Sequence, residues 1–246
     1  MSLSGGFTKY SQRGAYHWKQ ISRSIIDHNV YVSARYKKIL ERLGDLEGKT
    51  ILDVGGGDGA LSYLFAKNNG SPLIIDISSQ ALQYARSEFK KHRISIECLQ
   101  GSAEQLPFSD ESFDTVVGCE VIEHLSNPNQ FLCECSRILR ADGLLVLTTP
   151  VRITEFPSQV DHQREFFAGE LTSSLENLFT SVNVDAFAPV FWYEIINFRP
   201  KFFLKRPVFL YFLNLIELCF GKNPLTASIP YRYQSCLVGS AIRRPR

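Results

Sequence analysis

The sequence is poor in the paired cysteines that mark disulfide frameworks and structural metal sites. Its six cysteines include no Cys-x-x-Cys pair, and Cys133 and Cys135 face different directions on a predicted helix. Several of the six lie in apolar patterns, where cysteine packs as a small hydrophobic residue. We therefore expect a reduced, cytoplasmic protein without a metal site.

The sequence also lacks a charge imbalance, a secretion signal and a membrane-spanning segment. Its net charge is +2 and it has no basic stripe interleaved with aromatic residues, which argues against a nucleic-acid partner. No cationic stretch followed by an apolar core opens the chain, so we expect no signal peptide. The longest apolar run, residues 208–220, contains Asn214 and Glu217 and is too short to span a bilayer.

The composition is that of a globular protein, with 44% hydrophobic and 21% charged residues over 246 positions. No internal repeat or low-complexity linker divides the chain. We therefore predict a single domain over 1–246, in which residues 1–47 form a helical extension or lid. Residues 48–150 are expected to bind a cofactor, and residues 151–246 to form the substrate side with an aromatic insert at 189–225.

A glycine-rich turn within residues 51–59 is the most informative motif. An apolar strand pattern runs into Gly55, Gly57 and Gly59, and a helix pattern starts at Ala60. Glycine is needed where the backbone adopts positive φ or where a ligand approaches the main chain closely. The first turn of the helix presents unpaired N–H groups. Together these elements predict a site for an adenosine-containing cofactor at the carboxyl edge of a parallel sheet.

The charge around this turn bears on the class of cofactor. The turn fits the loose dinucleotide fingerprint, but it also fits an acidic-x-Gly-x-Gly-x-Gly pattern that begins at Asp53. A pyrophosphate favours bare helix N–H groups and is repelled by carboxylates. S-adenosylmethionine instead carries a cationic sulfonium and an ammonium, which carboxylates at Asp53 and Asp58 suit. The turn therefore favours S-adenosylmethionine over a dinucleotide.

Strand and helix patterns alternate along the rest of the chain. Strands are predicted at 51–54, 72–75, 94–99, 113–119, 143–150, 181–187 and 235–242, and helices at 32–43, 60–66, 78–92, 129–140 and 168–178. The strands before residue 150 are almost purely apolar, as in a sheet that is buried on both faces. This order predicts an α/β fold.

Six motifs in this order resemble the class I S-adenosylmethionine-dependent methyltransferases, in particular the small-molecule branch that includes ubiquinone-biosynthesis and polysaccharide-cluster enzymes. They are the glycine turn, the acid that ends the second strand, and the segments AEQLPF, FDTV, EVIEHL and LRADGLL. The resemblance implies a Rossmann-like, seven-stranded, mostly parallel sheet with helices on both faces. It also implies S-adenosyl-L-methionine as the cofactor and a small molecule as the acceptor.

The same resemblance implies contacts for individual residues. These are Asp53, Gly55 and Gly57 with the methionine end of the cofactor, Asp76 with the ribose, Ala103 with the adenine through its backbone, and Glu120 at the rim of the methyl pocket. Ser102 departs from the family pattern, which usually has an acid here to accept the adenine amino hydrogen. A hydroxyl accepts without charge assistance, so we expect this contact to be weaker.

The histidines are the candidates for a general base, which a hydroxyl nucleophile would require at neutral pH. His28 and His92 lie in polar patterns and are expected to be exposed, and His17 lies in the extension. His124 follows the fourth strand and either accepts a proton or orients the loop. His162 lies in a segment that resembles a His-x-x-Glu-Phe run of this branch, and it either caps the next helix or faces the substrate.

The amino-terminal extension and the aromatic insert leave alternatives open. Trp18 is expected to pack the extension onto the sheet, whereas Tyr16 either packs or closes over the cofactor. The apolar run in the insert has basic flanks, which would suit a membrane surface or a lipid-linked substrate. It would equally suit a helix that covers the active site or makes a dimer contact, so a monomer and a homodimer both remain open.

We predict O-methylation of a hydroxyl on a sugar or a lipid-linked saccharide, with a quinone or phenol acceptor as the alternative. Two other classes remain. A nicotinamide-dependent oxidoreductase would need a pyrophosphate that tolerates Asp53. A non-catalytic cofactor-binding protein of the same fold is slightly favoured by Ser102.

Overall fold

The computed structural model describes residues 9–152, 157, 161–191, 208–226 and 234–245. The helices are α1 (Lys9–Arg13), α2 (Tyr16–Gln20), α3 (Val30–Leu43), α4 (Ala60–Lys67), α5 (Ser79–Lys91), α6 (Pro128–Ile138), α7 (Ala168–Glu176) and α8 (Val208–Phe220). The strands are β1 (Thr50–Val54), β2 (Ser71–Asp76), β3 (Glu97–Gln100), β4 (Phe113–Cys119), β5 (Leu139–Pro150), β6 (Phe179–Pro189) and β7 (Gln234–Arg243). Short 3-10 helices lie at Ile122–His124 and Pro224–Thr226.

The seven strands form one sheet in the order β3-β2-β1-β4-β5-β7-β6. The pairs β1–β2, β1–β4, β2–β3 and β4–β5 are parallel, whereas β7 is antiparallel to both β5 and β6. The α/β class and the seven strands are confirmed, but the sheet is mixed, which corrects the prediction of a mostly parallel sheet. β7 is apolar because it is buried between β5 and β6. An apolar pattern of this kind is the same for a parallel and an antiparallel strand, so it does not predict strand direction.

This strand order positions a ligand site. From the centre of the sheet, the chain builds β2 and β3 on one side of β1, and β4 and β5 on the other. Two neighbouring loops therefore leave β1 and β4 in opposite directions, which opens a crevice at the carboxyl ends of these strands. The glycine turn follows β1 and the EVIEHL segment follows β4, so both motifs border this crevice.

The sheet is buried on both faces because successive residues of a strand point to opposite sides. In β1, Ile51 packs with residues of α3, α4 and α8, whereas Leu52 packs with residues of α6 and α7. Ile74 of β2 packs against α5 in a third, smaller cluster. The alternation of Ile51 and Leu52 between the two cores explains why the strands are apolar on both faces.

The amino-terminal extension packs on the molecule as predicted for Trp18. The indole Nε1–H of Trp18 donates to the main-chain carbonyl of Asp58 at 2.6 Å. Its ring lies 4.8 Å from that of Tyr63 and stacks on His92 at 5.1 Å, centroid to centroid. The ring of Tyr16 lies 3.9 Å from that of His17. The extension is thereby attached to the loop that carries the glycine turn.

Helix α8 docks on α3 through a buried polar cluster. Glu217 accepts hydrogen bonds from Ser33 Oγ at 2.6 Å and from Asn223 Nδ2 at 3.0 Å, and it pairs with Lys37 Nζ at 2.7 Å. His28 Nε2 lies 3.0 Å from the same carboxylate. His28 is only 5% exposed, which corrects its expected exposure, because a carboxylate distant in sequence compensates its polar ring.

The opposite face of α8 is exposed and apolar. Phe212, Leu215 and Phe220 retain 54%, 42% and 74% of their surface. No helix in the described part of the chain is long and apolar enough to cross a membrane. Residues 192–207 of the predicted insert, with its amino-terminal basic flank and half of its aromatic residues, lie outside the described residues.

Candidate functional site

The glycine turn between β1 and α4 is built from left-handed backbone positions. Gly55, Gly57 and Gly59 have φ angles of +67°, +58° and +78°. The N–H of Gly55 donates to the carbonyl of Ile75 at 2.7 Å, and the N–H of Gly57 donates to Asp76 Oδ2 at 2.9 Å. These bonds fasten the turn to the end of β2. They also explain the glycines, because other residues are strained at such angles.

Asp76 is held by two backbone amides. Its Oδ1 accepts from the N–H of Ser78 at 2.8 Å, while Oδ2 accepts from Gly57. Burial raises the pKa of Asp76, and the two amide bonds oppose that shift. The carboxylate therefore lies at the edge of the crevice in a fixed orientation, and each oxygen retains a further lone pair for a ligand hydroxyl.

Asp53 lies beneath the turn rather than at its surface. The residue is fully buried, and Ser62 Oγ donates to Asp53 Oδ2 at 2.5 Å. Burial raises the pKa of Asp53 to about 7. Among the described residues, Asp53 Oδ1 has no hydrogen-bond partner, which is an unsatisfied acceptor directly below the glycines. Its predicted contact with the methionine end of the cofactor stays a prediction.

Asp58 is occupied by the amino-terminal extension. Its Oδ2 accepts from the main-chain N–H of His17 at 2.9 Å, and His17 Nδ1 lies 3.3 Å from Oδ1. The N–H of Ala60 lies 3.4 Å from the same Oδ1. From the sequence, Asp58 was expected to complement a cationic cofactor. In the structure its carboxylate joins the extension to the start of α4, and these contacts compete with cofactor binding.

Tyr10 forms a roof over the turn. A Cβ added to Gly57 would overlap the hydroxyl of Tyr10, so the phenol lies directly above this glycine. Tyr10 is 6% exposed, its hydroxyl lies 3.5 Å from His17 Nδ1, and burial raises its pKa. The turn has the left-handed glycines and the unsatisfied acceptor that an adenosine-type cofactor needs. Tyr10 fills the space above Gly57, so a cofactor fits against the turn only when α1 moves away from it.

The predicted adenine contacts lie in a tight loop after β3. The N–H of Gly101 donates to the carbonyl of Asp76 at 3.1 Å, which holds the loop beside β2. Ser102 Oγ accepts from the N–H of Glu104 at 3.2 Å, so its hydroxyl already stabilises the loop. Ala103 is half-buried against the core that contains Leu106. The loop borders the same crevice as Asp76.

Glu120 directly follows β4 and has a left-handed conformation, with φ at +56°, which is uncommon for a residue other than glycine. Its Oε2 pairs with the guanidinium of Arg35 at 2.9 Å, and the Sγ of Cys236 lies 3.8 Å from Oε1. The ion pair is largely buried, with Arg35 13% and Glu120 20% exposed. Such local strain persists where surrounding contacts fix it, and it is frequent at functional sites.

The two histidines named from the sequence lie together beside β4. Their ring centroids are 4.9 Å apart and the rings meet edge to face at 75°. His124 Nδ1 lies 2.8 Å from the carbonyl of Asp161, and His162 Nδ1 lies 2.8 Å from Glu165 Oε1. Burial lowers the pKa of His124, which favours its neutral form. His162 bonds to Glu165, and its predicted alternatives, capping the next helix or facing the substrate, stay predictions.

Glu123 is a residue of this cluster that sequence reasoning did not single out. It is fully buried beside His124, and Thr149 Oγ1 donates to its Oε2 at 3.1 Å. Burial, followed by the charge of Glu120, raises the pKa of Glu123. The available signal was the EVIEHL motif itself, which brings two acids and a histidine to the end of one strand. No comparable sequence motif marks Arg35 or Tyr10 as a residue of the site.

Comparison with known proteins agrees with this geometry. A family model described as a methyltransferase domain matches residues 52–147. A probable S-adenosylmethionine-dependent methyltransferase of Mycobacterium tuberculosis is 34% identical over 156 residues, which cover 61% of this chain and 56% of the relative. A ubiquinone biosynthesis O-methyltransferase of Alkalilimnicola ehrlichii is 34% identical over 116 residues, which cover 47% of each protein. The chain spans about half the length of these curated relatives.

Solved structures agree on the fold. Phosphoethanolamine N-methyltransferase 2 of Haemonchus contortus, in complex with S-adenosyl-L-methionine, matches with a TM-score of 0.65 and 16% identity. The match covers 98% of this chain and 60% of that one. Motif order, strand order and family match therefore point to one conclusion. Residues 52–147 form a methyltransferase domain with the motif order of the class I S-adenosylmethionine-dependent enzymes.

Proposed function

We propose that the protein transfers a methyl group from S-adenosylmethionine to a hydroxyl oxygen of a small-molecule acceptor. The observation that carries the proposal is the shared edge of the sheet. Gly57, Asp76, Glu120 and the pair formed by His124 and His162 all lie at the carboxyl ends of β1, β2 and β4 or in segments packed there. When bound, S-adenosylmethionine supplies a methyl group on a cationic sulfur that an oxygen nucleophile attacks.

The residues at the crevice would divide the work of binding and orientation. Asp76, fixed by Gly57 and Ser78, would bond the ribose hydroxyls. Glu120, fixed by Arg35, would place negative charge at the rim of the methyl pocket, where it favours a cationic ligand. Holding the acceptor oxygen in line with the methyl group supplies much of the rate in such reactions, because orientation replaces a bimolecular encounter.

The histidine pair would act as the general base that takes the proton from the hydroxyl group being methylated. A carbonyl oxygen only accepts hydrogen bonds, so His124 Nδ1 donates to Asp161 and a lone pair remains on Nε2. The lowered pKa of His124 keeps this ring neutral near pH 7, as a general base requires. His162 is oriented in the same way by Glu165.

For the acceptor we favour a hydroxyl on a sugar or a lipid-linked saccharide. The exposed apolar face of α8, with Phe212, Leu215 and Phe220, supports contact with a lipid carrier or a membrane surface. A quinol or phenol is the second candidate, because a ubiquinone biosynthesis O-methyltransferase is among the relatives. Both acceptors present a hydroxyl that must lose a proton, so they share the role assigned to the histidines.

The test is to incubate the protein and methyl-labelled S-adenosylmethionine with nucleotide sugars, lipid-linked glycans and quinols. Label in a saccharide is the expected result, and label only in the quinol would refute the sugar acceptor and establish the second candidate. Replacement of both His124 and His162 by Ala should lower turnover by about 10²–10⁴-fold while cofactor affinity stays nearly unchanged. Cofactor binding without transfer to any acceptor would favour a non-catalytic protein of this fold.

A further inference from the structure

Glu123, His124 and His162 form a compact group of metal-ligating side chains. One ligand atom from each residue can be chosen so that all three lie within 4.8 Å of one another. Glu123 and His162 are buried and His124 is half-buried, so the group lies in the wall of the crevice rather than on the open surface. Two imidazoles and one carboxylate are a donor set that binds divalent transition metals.

Only one of the two carboxylate oxygens of Glu123 has a hydrogen-bond partner among the described residues. Thr149 Oγ1 donates to Oε2 at 3.1 Å, whereas Oε1 is buried and has no hydrogen-bond partner among the described residues. A buried polar atom without a partner is costly, and native structures rarely retain one without a reason. A cation shared with the two imidazoles would satisfy this oxygen. The unpaired oxygen is an observation independent of the spacing of the three residues.

The two imidazoles are oriented as metal ligands usually are. His124 Nδ1 lies 2.8 Å from the carbonyl of Asp161 and His162 Nδ1 lies 2.8 Å from the carboxylate of Glu165. Since both partners accept, each Nδ1 carries the hydrogen and each Nε2 presents a lone pair. Metal-bound histidines characteristically donate their second ring N–H to a carbonyl or carboxylate in this way.

The backbone holds the two segments of the group together without any ion. The carbonyl of Glu123 accepts from the N–H of Gln163 at 2.8 Å and from that of Arg164 at 3.1 Å. The loop that carries His162 is therefore fixed to the 3-10 helix that carries Glu123 and His124. A metal ion would meet a preformed set of ligands and would not have to order a loose one.

We infer that Glu123, His124 and His162 bind one divalent transition-metal ion, of the class of Zn²⁺, Fe²⁺, Co²⁺ or Mn²⁺. The sequence predicted no metal site because paired cysteines were absent, but a two-histidine, one-carboxylate site needs none. Three protein ligands leave coordination positions for other oxygens. The inference rests on the proposed function for the acceptor hydroxyl and changes its base. With both Nε2 atoms bound to the ion, the ion would take over from the histidines by lowering the pKa of that hydroxyl.

The experiment loads the full chain separately with Zn²⁺, Co²⁺ and Mn²⁺, removes unbound ion by desalting, and measures metal per chain by mass spectrometry. The parent should retain one ion of at least one of these metals, and bound Co²⁺ should give visible absorption typical of nitrogen and oxygen ligands. The double variant His124→Gln with His162→Gln should weaken binding by more than about tenfold. Glu123→Gln should do the same, while His92→Ala, which removes an exposed histidine elsewhere, should not.

Titration with S-adenosylhomocysteine accompanies each sample, because it reports folding and the cofactor site without using the metal. Loss of metal from variants that still bind S-adenosylhomocysteine supports the site. A parent that binds S-adenosylhomocysteine but retains none of the three metals refutes it, as does a double variant that binds metal like the parent. A parent that binds metal but neither S-adenosylhomocysteine nor S-adenosylmethionine supports the site and refutes the proposed function.

Discussion

The indole N–H of Trp18 and the main-chain carbonyl of Asp58 are joined by a hydrogen bond of 2.6 Å, which attaches the amino-terminal extension to the glycine turn. The carboxylate of Asp58 adds a second attachment through the N–H of His17. Together these bonds hold Tyr10 above Gly57. Any ligand that contacts Gly57 must therefore move or share space with α1.

Trp18→Phe should loosen this extension while retaining an aromatic ring. The variant leaves the carbonyl of Asp58 without its donor, at a cost of about 1–3 kcal/mol. Limited proteolysis should then cut within residues 9–29 faster than in the parent, with little change in global unfolding. His92→Ala is the matched control, because it removes the stacking partner of Trp18 and leaves the hydrogen bond. Equal cleavage in parent and Trp18→Phe would contradict the attachment.

Asp76→Ala should weaken S-adenosylmethionine binding by about 1.5–3 kcal/mol, the range for hydrogen bonds to a charged group. Part of this loss would come from the turn, because the N–H of Gly57 loses its acceptor. Asp76→Asn separates the two effects, since an amide oxygen can still accept from one backbone N–H. Titration calorimetry on folded protein measures both. An unchanged affinity in Asp76→Ala would exclude a role for Asp76 in binding.

Ser102→Asp should tighten cofactor binding, because an ionised acceptor makes a stronger hydrogen bond to the adenine amino group. The substitution should be tolerated, since a carboxylate can also accept from the N–H of Glu104, as Ser102 Oγ now does. Ser102→Ala is the control for loss of that bond to the loop. The prediction is tested by comparing the dissociation constants of the parent, Ser102→Asp and Ser102→Ala for the cofactor. If Ser102→Asp binds no more tightly than the parent, the adenine amino group is satisfied elsewhere.

Glu217 should make the stability of the protein sensitive to acid. Burial raises its pKa, but hydrogen bonds from His28, Lys37 and Ser33 outweigh burial and lower the pKa from 4.5 to about 2. Because the folded-state pKa is lowered, the stabilisation is complete above about pH 4.5 and is lost as the pH falls towards 2. Its size at neutral pH is on the order of 3 kcal/mol.

Urea unfolding of the parent and of Glu217→Gln across this pH range measures the effect. The free energy of unfolding of Glu217→Gln should be lower at pH 7 and should fall less steeply below about pH 4.5. Glu41→Gln is the control, because the side chain of Glu41 is exposed and, within the described part of the chain, forms a surface pair with Lys38 alone. Parallel curves for parent and Glu217→Gln would show that this carboxylate does not carry the acid sensitivity.

The sequence predicted the local elements well because their signals are local. Ser78 does cap α5 by accepting from the N–H of Ala81, and the apolar run before Gly55 does form a buried strand. The direction of β7 was not predictable from its apolar residues, since a strand buried between two neighbours has the same pattern in either direction.

Contacts between distant segments were beyond the sequence. The partner of His28 is 189 residues away at Glu217, so the polar pattern around His28 gave the wrong expectation of exposure. The same applies to the Glu123 cluster, where the EVIEHL motif supplies two residues and the loop after β5 supplies His162. Neither pairing has a periodicity or spacing that marks it in the chain.

The glycine turn with Asp53 and Asp76 should accept S-adenosylmethionine rather than a dinucleotide. Titration calorimetry of the purified chain with S-adenosylmethionine, S-adenosylhomocysteine and NADH tests it directly. We predict that S-adenosylmethionine and S-adenosylhomocysteine bind with one site per chain and that NADH gives no heat of binding, because the carboxylates repel its pyrophosphate. Binding of NADH without binding of S-adenosylmethionine would contradict the claim.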